Sequence, residues 1–119
     1  IADLKEIAQD EPQDTPFQIV GQMPQYPGGW AAMMKYIERL MQYPTIAMEN
    51  GIEGKVILRF VVLPTGEIGN VEVLRSLDPT CDKEAVRVVQ GMPKWIPGKQ
   101  NGTAVSVYFT LPIAFKLNS

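Results

Sequence analysis

A chain of 119 residues has room for one domain around one core, and its 45% apolar and 20% charged residues are the balance of an ordinary globular protein. No apolar run approaches the roughly 18 residues that span a bilayer, and no basic start followed by a short apolar stretch marks a signal peptide. The net charge of −2 comes with no basic stripe, which argues against a nucleic-acid partner.

The charge is unevenly spread. Residues 1–16 carry Asp3, Glu6, Asp10, Glu11 and Asp14 against Lys5 alone, a local charge of −4 that leaves +2 for the rest. With Pro12 and Pro16, this stretch reads as a solvated acidic leader or the end of a linker. Residues 17–119 form the expected domain. Because the chain begins at Ile1 rather than Met, it is expected to be a piece of something longer.

Phe17 to Met23 places Phe17, Ile19 and Met23 on one face at period two, a short extra strand stopped by Pro24. Pro27-Gly28-Gly29 breaks the chain. From Trp30 the period changes: Trp30, Met33, Met34, Ile37, Leu40 and Met41 make one stripe of an amphipathic helix, read as a core seam. Pro44 ends it. Thr45 to Gly51 reads as a short helical turn, with Thr45 as N-cap and Gly51 as the left-handed stop.

Lys55 to Leu63 is the strongest strand. Val56, Leu58, Phe60 and Val62 share one face, and the other is also largely apolar, as in a central strand covered on both sides. Leu63-Pro64-Thr65-Gly66-Glu67 has turn chemistry. Ile68 to Leu77 returns as the hairpin partner, with Val71 and Val73 toward the core. Asp78-Pro79 then opens a helix as cap and first residue. Cys81, Ala85, Val88, Val89 and Met92 form its buried stripe, and Gly91 with Pro93 ends it. Cys81, the lone cysteine, reads as a core thiol.

Lys94 to Gly102 is a loop containing Trp95, taken as a core or loop anchor, and an Asn101-Gly102 turn. Val105 to Leu117 then alternates strictly for 13 residues, roughly 40 Å when extended. Pro112 cannot donate to a ladder, so this strand belongs at a sheet edge. The expected fold is α+β: a three-stranded antiparallel sheet in the order second, first, third, with two helices on one face. An uncharged stretch between Thr103 and Ala114 leaves that edge open to pairing, which points to a docking site.

Site chemistry for catalysis is thin. The chain has no histidine, no nucleophile elbow and no phosphate loop, and Asp82 with Glu84 suits a helix start. A binding domain without catalytic residues, metal or cofactor is therefore expected.

Three segments taken in order resemble the C-terminal family of TonB energy transducers. They are Gln42-Tyr43-Pro44 with Gly51-Ile52-Glu53-Gly54-Lys55-Val56, Leu63-Pro64-Thr65-Gly66-Glu67-Ile68 running into Val71–Ser76, and Lys94-Trp95-Ile96-Pro97-Gly98-Lys99 before the last strand. Met23 to Gly29 looks like the extension of Bacteroidetes-type members. The resemblance implies a periplasmic domain, anchored to the inner membrane in the full-length protein, that grips the TonB box of an outer-membrane transporter. It would transmit force from an inner-membrane proton-driven motor reached through its N-terminal part. Gripping means β-augmentation. The implied contacts are Val105, Ser106, Val107, Tyr108, Phe109, Thr110 and Leu111 on the edge strand, with Gln42, Tyr43 and Pro44 against the transporter plug. Tyr43 reads equally well as an aromatic lid on the core. The same module could serve a membrane sensor or antirepressor, or pair its edge with a second copy as a homodimer.

Overall fold

The computed structural model describes residues 15–117. The leader expected at residues 1–16 therefore falls, up to Asp14, outside the described residues. Helix α1 (Gly29–Leu40) leads through a linker to the short α2 (Thr45–Glu49). Strands β1 (Gly54–Val62) and β2 (Ile68–Arg75) form a hairpin, followed by α3 (Pro79–Gln90). A small hairpin of β3 (Gly98–Gln100) and β4 (Thr103–Val105) precedes β5 (Val107–Phe115).

The main sheet is antiparallel in the order β2-β1-β5, as expected, with β1 central. Val56, Leu58, Phe60 and Val62 of β1 sit opposite Ile113, Leu111, Phe109 and Val107 of β5. These pairs face one way, and every residue in them but Phe109 is buried. Onto that face pack Met33, Tyr36 and Ile37 of α1, Ala47 of α2, and Cys81, Ala85, Val88 and Val89 of α3. Phe109 is only half-buried because it lies at the sheet margin, where its ring meets Trp95 edge-on at 4.8 Å.

Helix α3 forms where its code is most explicit. The Asp78 carboxylate accepts from the backbone N–H groups of Thr80 and Cys81, and Pro79 occupies the first turn. The Thr80 hydroxyl also donates to that carboxylate and holds its pKa below the ordinary value. Cys81 is fully buried on the stripe, and burial pushes its thiol pKa up. It is expected to label far more slowly than a free thiol in native buffer and promptly in denaturant; rapid native labelling would place it at the surface.

Elsewhere the structure departs from the sequence reading. Trp30 (57% exposed) and Leu40 lie outside the core, and Tyr36 takes a place in it, its hydroxyl donating to the Val88 carbonyl. Pro44, not Thr45, caps α2, without a side-chain bond, although Gly51 does adopt a left-handed φ of 65°. Strand β2 stops at Arg75, and Val73 faces the helical layer yet stays exposed, lining an open groove beside α3.

The loop from Lys94 contains the β3–β4 hairpin. Its Asn101 and Gly102 both have positive φ, 54° and 79°, the geometry that matches strand twist in a two-residue turn. The long last strand is consequently divided at Ser106: β4 pairs with β3, and β5 with β1. The period-two strand at Phe17–Met23 does not form either. Residues 17–26 instead make a strap held at isolated points, with Val20 and Tyr26 buried and Phe17, Ile19 and Met23 exposed. Alternation alone does not distinguish a ladder from single rungs.

Among the described residues, the helices pack on one face of the sheet and leave the far face without a helical layer. That face is braced by a polar rung across all three strands: Glu72 of β2 pairs with Arg59 of β1 at 2.6 Å, and the guanidinium sits 4.3 Å from the Tyr108 ring centre on β5. Cross-strand pairs of this kind contribute about 0.2–1 kcal/mol each.

Candidate protein-docking edge

Strand β5 is the edge beside β1, and its bonding phase follows from Pro112. That residue stands opposite Ile57 and has no N–H to give. Odd-numbered residues Val107, Phe109 and Leu111 therefore bond inward to β1. The N–H and C=O groups of Tyr108 and Thr110 point away from the sheet, as does the Ser106 carbonyl. Two observed bonds agree: Tyr108 donates to the Phe17 carbonyl at 2.9 Å, and Phe17 donates to the Ser106 carbonyl at 2.9 Å. Among the described residues, no other strand pairs with this side of β5.

Val105 lies in β4, half-buried and paired with Gly98, so the seven expected edge residues do not form one uninterrupted strand. The continuous portion runs from Val107, whose side chain is buried, through Tyr108, Phe109 and Thr110 to the buried Leu111. Side chains on the core face belong to the hydrophobic interior. A partner therefore meets mainly backbone here.

Gln42, Tyr43 and Pro44 sit at the opposite end of β5. The Tyr43 ring packs edge-on against Phe115, with ring centres 5.5 Å apart, and its hydroxyl donates to the Ile52 carbonyl. Desolvation pushes its pKa up. Tyr43 is thus a lid on the core. The Gln42 N–H donates to Glu84 of α3 at 2.7 Å, and Arg87 bridges Glu84 to the Leu40 carbonyl. That guanidinium holds the Glu84 carboxyl below its ordinary pKa.

These contacts tie the linker between α1 and α2 to α3. They also wall a groove of about 770 Å³ shared by Gln42, Pro44, Val73 and Lys83. The structure therefore separates the two predicted contact regions: Tyr43 meets the last residue of β5, whereas Val107 begins it. The groove was not foreseen from sequence, although an apolar Val73 beside the Ser76–Asp78 turn was its one available signal.

Trp95 is 3% exposed and stacks edge-on with Phe60 and Tyr26, an anchor rather than a contact. No cluster of His, Cys, Asp and Glu capable of holding a metal forms among the described residues. No described helix is long and apolar enough to cross a membrane.

Residues 39–117 match the family model described as the Gram-negative bacterial TonB protein C-terminal. Protein tonB2 of Pseudomonas aeruginosa is 36% identical over 80 residues, covering 65% of this chain and 28% of that protein. The chain thus spans under a third of that relative's length. The solution structure of the Pseudomonas aeruginosa TonB C-terminal domain aligns with a TM-score of 0.54 at 28% identity, over 66% of this chain and 79% of that one. The Helicobacter pylori TonB C-terminal domain aligns with a TM-score of 0.57 at 22% identity, over 73% and 78%.

Proposed function

Because this chain belongs to the TonB C-terminal family, we propose that it is the periplasmic domain of a TonB-type energy transducer whose β5 edge captures the TonB box of an outer-membrane transporter. The observation that carries the reading is the outward row of backbone groups from Ser106 to Thr110 on an uncharged edge strand. An extended peptide can add to such a row as a further strand, its backbone supplying affinity. Force would come from inner-membrane motor proteins engaged by a part of the protein preceding this domain. Gln42 and Pro44, at the far end of β5, would touch the transporter away from the peptide. The acidic residues before Phe17 suit a spacer, and the strap suits the Bacteroidetes-type extension.

The bonding phase makes the test specific. Thr110→Pro removes an outward N–H and is expected to abolish binding of a TonB-box peptide while the fold survives. Phe109→Pro removes an inward bond to β1 and is expected to damage the fold. Replacing only the Thr110 side chain, as in Thr110→Val, should change affinity little. Peptide titration followed by NMR decides the matter. Shifts concentrated on Ile68–Arg75, with β5 silent, would move the site to the other edge and end this assignment.

A further inference from the structure

We propose that Phe17 is an intramolecular occupant of the partner-binding edge, displaced when an extended peptide docks; this rests on the β5 reading above. Phe17 forms a parallel bridge to Val107, filling the Ser106 carbonyl and the Tyr108 N–H. These are two of the backbone groups that an augmenting strand needs. The strap that carries Phe17 precedes residue 39, where the family match begins, so it is a feature of this chain beyond the shared domain.

A peptide that leaves Phe17 in place gives up one of the two consecutive outward donors of β5. The outward donors of β5 are Tyr108, Thr110 and Ala114, because Pro112 has none. Only Tyr108 and Thr110 are consecutive, so the densest run of rungs begins at Ser106, where Phe17 sits. A strand starting at Thr110 meets a missing donor at its next outward position.

The strap is built to release at this end. Phe17 and Gln18 are exposed, and Ile19 is 80% exposed. Farther along, the strap is held by reciprocal bonds between Gln22 and Lys99 (3.0 and 2.8 Å) and between Gln25 and Ile96 (3.0 and 2.8 Å), and Val20 and Tyr26 are buried. Residues 17–19 can therefore peel away while the rest stays docked. An occupied edge lowers apparent affinity by the fraction of molecules in which it is free. Two modest net hydrogen bonds correspond to about a fivefold to 150-fold reduction.

The test uses the full chain and a TonB-box peptide. Phe17→Pro removes the N–H that bonds Ser106 and leaves the other bond, so it is expected to tighten peptide binding about twofold to tenfold. In the unaltered chain, the Tyr108 amide should stay protected from exchange when peptide saturates, while Phe17 loses protection. Equal affinity of the two proteins at β5, with Phe17 still protected in the complex, would overturn the strap's role and leave the docking edge intact. Absence of β5 shifts in both proteins would instead remove the docking edge itself, and the strap's role with it.

Discussion

Alanine in place of Phe60 is expected to destabilise the domain by about 3–5 kcal/mol in urea melts, the range for emptying a large aromatic site. Phe60 is fully buried on the central strand, opposite Phe109, and its ring meets Trp95 edge-on at 5.4 Å. Truncation would leave a void between β1 and the strap-side cluster of Tyr26, Trp95 and Phe109. Strand β5 is held against β1 in unbroken register, so the void has little freedom to collapse on that side. Leu58→Ala, equally buried one pair away, should cost about 2–5 kcal/mol. Losses below about 0.5 kcal/mol at both positions, the size of a surface change, would show the helices packed on the other face.

The second large effect is expected at Gly66 in the β1–β2 turn. Its φ is 91°, and a methyl group there would meet the Trp95 carbonyl oxygen at 2.1 Å. The Gly66 carbonyl also accepts from the Trp95 N–H at 2.7 Å, so turn and loop are clasped by backbone on both sides. Gly66→Ala combines left-handed strain with a clash against backbone, together about 2–5 kcal/mol. Gly102→Ala is the control: φ is 79° but nothing lies within 4 Å, so only strain remains. Equal losses at the two sites would show that the Trp95 loop moves aside and the clasp is weak.

The parts of this fold that are legible in the amino-acid order are those where two local signals coincide. Helix α3 has both a capping pair, Asp78-Pro79, and an uninterrupted apolar stripe, and each of its stripe residues is buried. Strand β1 and the edge position of β5 follow similarly from alternation together with Pro112. Single signals misled. The stripe of α1 extends to Trp30 and Leu40, but the helix meets the sheet over only its middle, so its ends stay in solvent. The strap carries a period-two pattern, yet its rungs fall at Phe17, Gln22 and Gln25, spacings that follow from where Val107, Lys99 and Ile96 lie.

For the docking edge, the strand and its uncharged length could be read directly. The phase of its backbone could not, because that depends on which residue of β1 stands opposite Pro112. Phe17's occupation of the edge is a contact across 90 residues of chain, and nothing around Phe17 encodes it.

The nine-pair register between β1 and β5, from Val62–Val107 to Gly54–Phe115, sets how the domain bears tension. Its rungs lie at right angles to the strands. A pull directed along β5 shears all of them together, so the load is shared. A pull across the sheet opens them in turn from one end, like a zip, and each rung yields alone. A peptide laid beside β5 and drawn along its own length would load the sheet in shear, the direction in which it is mechanically stiffest.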